Sequence, residues 1–105
     1  MKKLILAAIV LFSGNVMAST ITGVPGEIFI GPQSTLIGFK IVGNSNLAAC
    51  ASQDLFVFDS ATDGGKNIYA AVLAAKAAAA PIIVQGTNTC NLFAGAETVS
   101  LVTVK

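Results

Sequence analysis

The chain has 105 residues, enough for one domain, with two cysteines, no histidine, no tryptophan and a formal net charge of +1. Hydrophobic residues make up 54% of it and charged residues 10%, a balance that excludes an intrinsically disordered chain. With no arginine and six lysines it cannot build the basic face that displaces counterions from phosphates, which excludes a nucleic-acid binder.

Met1-Lys2-Lys3 is a short positive start, Leu4 to Phe12 an unbroken apolar run, and Val16-Met17-Ala18 a small-residue site of the kind a signal peptidase reads. The apolar run is well short of the ~20 residues that span a bilayer. Residues 1–18 therefore read as a cleaved signal peptide, and residues 19–105 as a single β-rich domain expected in the periplasm or outside the cell. No cysteine stands at the cleavage site to take a lipid, and no insertion of the mature chain into a membrane is expected. The mature segment keeps four lysines (Lys40, Lys66, Lys76, Lys105) against five carboxylates (Glu27, Asp54, Asp59, Asp63, Glu97), a net charge of −1.

Residues 20–30 are rich in β-branched and aromatic side chains around Pro25-Gly26 and read as one bent strand or two short ones. Thr35 to Val42 is a strand by its alternation, with Ile37, Phe39 and Ile41 expected in the core and Leu36, Gly38 and Lys40 on the other face. Asp54 to Asp59 carries the short apolar run Leu55-Phe56-Val57-Phe58 of a third strand. The period then changes: over about residues 66–79, Ile68, Val72, Ala75 and Ala79 form one helical stripe, with Tyr69, Leu73 and Lys76 beside it. Asp63 is the candidate N-cap, and Pro81 ends the helix. Ile82 to Gln85 and Glu97 to Lys105 are the last strands, the latter with Val99 and Leu101 on one face and Val102 and Val104 on the other.

Cys50 and Cys90 are an even pair in an exported chain and are expected to form a disulfide. Closing a loop that long contributes about 4 kcal/mol by restricting the unfolded chain. Two thiolates without histidine do not make a metal site, and the spacing is not that of a redox pair, so neither metal nor cofactor is expected. The absence of histidine also removes the commonest general base. Asp54 and Asp59 flank a strand and read as solvated ends rather than paired acids. Lys76 reads as a snorkelling side chain, and Gly64-Gly65 as a turn rather than an anion cradle. No catalytic or cofactor-binding residue is assigned, and the protein is expected not to be an enzyme.

The order strand, strand, strand, helix, strand, strand is the layout of a five-stranded OB-like barrel with one disulfide. The alternative is an open antiparallel sheet with one packed helix. The segment Asn67 to Ala77, followed by Ile82-Ile83-Val84, Cys90 and the closing Glu97-Thr98-Val99-Ser100-Leu101-Val102-Thr103-Val104, resembles a group of small exported proteobacterial proteins. In plan these look like the B subunits of pertussis-like and subtilase-type toxins, which are disulfide-bonded OB-fold pentamers that bind glycans. The resemblance covers roughly residues 50–105. It implies a secreted, non-catalytic binding subunit, homo-oligomeric, with a glycan or a protein as partner. The alternative function is a periplasmic structural or inhibitor-like protein acting through a sheet edge. The chain departs from the group where Ala78-Ala79-Ala80-Pro81 replaces a Ser-Gly-Lys turn, losing a C-cap glycine and a basic residue. It also has one tyrosine, on the helix, and no tryptophan on which a sugar could stack, so no ligand-binding residue is carried over.

Overall fold

A computed structural model describes residues 20–44 and 47–105. The expected signal peptide and its cleavage site lie outside the described residues. Six strands and one helix follow in the order β1 (Thr20–Gly23), β2 (Pro25–Ile30), β3 (Leu36–Ile41), β4 (Leu55–Asp59), α1 (Asp63–Ala78), β5 (Ile82–Gly86) and β6 (Glu97–Val104). They form one six-stranded sheet in the order β1-β5-β6-β4-β3-β2. Every neighbouring pair is antiparallel except β4 and β6, which run parallel through Phe56↔Glu97 and Val57↔Thr98.

This corrects both expected architectures in detail. The sheet has six strands and is open, not a closed five-stranded barrel, and it is mixed, not antiparallel. The segment 20–30 divides at Val24: β1 pairs with β5 and β2 with β3, at opposite ends of the strand order. Pro25 has no amide hydrogen to donate to a ladder across the break. The Val42 N–H instead donates to the Val24 carbonyl at 2.9 Å.

The core lies where the sequence alternation of β3 places it. Phe39, Ile41, Val72, Ile82 and Val84 are the largest fully buried side chains. Phe39 is flanked by Phe56 at 5.8 Å and Phe58 at 6.0 Å between ring centroids, within the favourable range for tilted aromatic pairs. Helix α1 covers this cluster with Val72 and Ala75, and Ile68 and Tyr69 pack at its margin. In β6 simple alternation fails. Gly86 pairs with Val99 and Gln85 with Leu101, so Ser100 is an extra residue. That bulge reverses the phase, which puts Val99 and Val102 on the core side together and leaves Leu101 exposed.

The helix starts earlier than its apolar stripe. Thr62, not Asp63, is the N-cap: it has extended backbone, and its hydroxyl accepts from the Gly65 N–H at 2.8 Å. Asp63 occupies the first turn, where its charge suits the helix dipole. At the other end Ala79 leaves the stripe for the left-handed conformation, φ 51° and ψ 39°. The Ala80 N–H reaches the Ala75 carbonyl at 2.9 Å, closing a Schellman turn across Ala79. An L-residue with a Cβ is strained there by about 1 kcal/mol. Ala79→Gly is expected to raise stability by about that amount despite the freer unfolded chain, and chemical denaturation measures it. A loss of stability on making this change would contradict the assigned role of Ala79.

Cys50 and Cys90 are joined, with Cα atoms 5.9 Å apart and a sequence separation of 40. The bridge ties the loop before β4 to the loop after β5. The Ser52 and Gln53 amides reinforce it by donating to the Gly95 carbonyl at 3.0 and 3.3 Å.

Candidate functional site

The residues with catalytic chemistry are dispersed. Asp54 and Asp59 stand at opposite ends of β4 with separate partners. Asp54 meets the Lys40 ammonium at 3.6 Å. Asp59 Oδ1 accepts from the Thr35 hydroxyl at 2.6 Å and the Ala61 amide at 3.0 Å, tying β3 to the turn before α1. Lys76 donates to the Gly26 carbonyl at 2.8 Å, and the Gly65 amide is used by the Thr62 cap. Among the described residues no three His, Cys, Asp or Glu side chains are grouped as metal ligands would be. Glu97, read from sequence only as a strand start, is buried under Gly86 and accepts from the Asn88 amide at 2.9 Å. It braces the loop that carries Cys90.

The Thr35 hydroxyl first, and then the Ala61 amide, hold the Asp59 carboxyl below its ordinary value of 3.8. The folded state therefore favours the carboxylate. This contribution is present above pH 3.8 and is lost as pH falls through the lower folded value. Thr35→Val removes the larger cause, so its melting temperature is expected to fall less steeply below pH 3.8 than that of the parent. Melting curves collected across that range would refute this if the two slopes coincide.

The feature with the geometry of a binding site is on the sheet face away from the helix. The ladder sets Phe29, Gly38 and Val57 side by side across β2, β3 and β4. Gly38 gives the row its depth: a Cβ there would lie 3.2 Å from Leu55 Cδ1. Leu36 and Leu55 complete the floor, and Phe93 comes over from the loop before β6. The result is an open groove of about 540 Å³ in which Ser34 supplies the one polar side chain. Its rims stay in solvent, Phe29 at 45% and Phe93 at 49% exposure, whereas Val57 on the floor is 3% exposed.

One end of the groove is charged. The Lys40 ammonium lies 3.7 Å from Glu27, 3.6 Å from Asp54 and 5.8 Å from the Phe29 ring centroid. Two carboxylates therefore face one cation, beside a second depression of about 330 Å³ lined by the same three charged residues.

The sequence reading assigned none of these groove residues to a site. One signal was available, the adjacent large apolar side chains Leu92 and Phe93 in a loop, where both stay partly in solvent. Among the described residues no helix is long and apolar enough to cross a membrane. Compared with known proteins, the chain matches no family model, no curated protein sequence and no solved structure.

Proposed function

We propose that this protein is an exported, non-catalytic binding module whose groove on β2, β3 and β4 takes an apolar segment of a partner protein. The observation that carries the reading is the pair of half-exposed rings, Phe29 and Phe93, standing over an apolar floor. Large aromatics left in water around a concave apolar surface are the usual mark of a binding site. A glycan needs hydrogen-bond partners along its length, and Ser34 is the one polar side chain on the apolar stretch, the charged groups of Lys40, Glu27 and Asp54 being confined to one end, so a protein segment fits better than a sugar. Export is supported by the leader and by the Cys50–Cys90 bridge, which suits an oxidising compartment.

An OB-type reading of the fold is part of the proposal. With β1 and β2 counted as one strand bent at Val24, the strand order, the parallel β4–β6 pair and the position of α1 between β4 and β5 support an OB-like order of strands within this open sheet. In that layout the groove occupies the face such folds use for ligands. This is also what the resemblance to toxin B subunits would imply.

Action through the sheet edge at β2 is less well supported. The register shifts between Pro25 and Ile28, and Lys76 occupies the Gly26 carbonyl. Both features interrupt strand addition.

An uncharged apolar dye such as Nile red tests the groove. Its fluorescence is expected to rise with the native protein. In a Phe29→Ser/Phe93→Ser variant that retains the parent circular dichroism, binding should weaken at least about fivefold, as loss of apolar contact at both rims requires. Unchanged dye binding in that variant would remove the groove from consideration.

A further inference from the structure

We infer that the groove's occupant is an extended protein segment bearing a lysine or arginine at one end of its apolar run, seated between Glu27 and Asp54. The inference rests on the groove being the binding site and adds the charge chemistry of the partner. Two features of the face argue for it. The first is length. From Leu36 to Lys40 the floor follows four steps of β3, about 13 Å, so an extended segment of about four or five residues runs its full extent. The second is charge complementarity. The apolar floor ends at two carboxylates that share Lys40 as their ion-pair partner, so Lys40 alone does not balance them, beside an open depression where Lys76 is held on the Gly26 carbonyl.

The carboxylates are partly exposed, so an incoming ammonium or guanidinium needs no deep burial. It would share Asp54 and Glu27 with Lys40 and lie near the Phe29 ring, whose face also attracts cations. A membrane surface is the wrong partner for the same reason: anionic headgroups would meet the Glu27 and Asp54 carboxylates. The contribution is one of selection and steering, as is usual for charges at an interface rim.

The test uses the full chain, expressed for export with its disulfide formed. Acetylated, amidated Leu-Phe-Leu peptides carrying Lys, Gln or Glu at either end are titrated into it, and the amide signals of Gly38, Leu55 and Val57 are followed by NMR. At low salt the better-placed Lys peptide is expected to bind about tenfold more tightly than its Glu counterpart, with Gln between. The gap should narrow in about 0.5 M salt. In Glu27→Gln/Asp54→Asn the order should reverse, because Lys40 is then left uncompensated. Equal affinities for all three peptides would overturn the charge inference and leave the groove reading standing. Failure of every peptide to shift the groove amides would overturn both. Self-association that protects those amides before peptide is added would make a second copy the occupant, and binding of anionic vesicles through the groove would make it a lipid. Either result overturns the inference.

Discussion

Val72→Asp is expected to abolish folding. Val72 is fully buried on α1, inside the cluster of Phe39, Phe56, Phe58, Ile82 and Val84. The cluster is apolar throughout and holds no cation to pair with an aspartate. An ion left there costs more than the entire stability of a small domain, which is about 5–15 kcal/mol. Val72→Ala removes methyl groups without adding charge and should cost about 1–3 kcal/mol through lost burial and the residual cavity. Leu73→Asp is the control. Leu73 is 42% exposed, so that change should cost only about 1 kcal/mol, from partial loss of burial and the lower helix propensity of aspartate, and leave the protein folded. Thermal melts of the three variants decide it. A Val72→Asp protein that melts like the parent would mean that the stripe is open to solvent and that the helix does not close the core.

Gly65→Ala is the second change expected to be severe. The first turn of α1 lies against the end of β4, and a Cβ at position 65 would collide with the backbone carbonyl of Asp59. It would also crowd the Thr62 hydroxyl at 2.9 Å, which both caps the helix and donates to that carbonyl. The obstacle is backbone rather than a movable side chain, so the corner between β4 and α1 must open. The expected cost is about 3 kcal/mol, the upper end for overpacking. Gly64→Ala, one residue earlier, meets nothing within 4 Å. There the better helix propensity of alanine and the stiffer unfolded chain should give a gain of about 0.5–1 kcal/mol. Denaturant unfolding of the two variants should therefore move in opposite directions. If both are neutral, the close approach of α1 to β4 is not as described.

A partner that enters the groove has to leave both of these elements in place, because β4 is at once part of the core and the floor of the groove. Phe56 and Phe58 point into the cluster under α1, and Leu55 and Val57 line the opposite face. Phe29→Ser and Phe93→Ser, by contrast, change side chains that are half in solvent and belong to no part of that cluster. Separate readouts for stability and binding are therefore available in the same molecule.

Local periodicity and residue chemistry were enough to specify several parts of the protein. The alternation Ile37, Phe39, Ile41 specified the buried face of β3, the spacing of Ile68, Val72 and Ala75 specified the buried side of α1, and two cysteines specified the bridge. Each of these depends on neighbours along one element. The remaining features depend on contacts between elements distant in the chain. Thr62 became the cap because the chain leaving β4 presents its hydroxyl to Gly65, although Asp63 carries the stronger capping charge. Ser100 became a bulge because β6 must keep both Val99 and Val102 against the core, which strict alternation forbids. The sheet has six strands because β1 and β2, one residue apart, joined different partners, and it is mixed because β6 returned parallel to β4. The groove belongs to this second class. Phe29, Gly38, Val57 and Phe93 are distant in sequence, and only strand pairing and the loop before β6 bring them onto one surface. A local pattern carries no information about such pairing, because the register of one strand on another is set by the whole buried face at once.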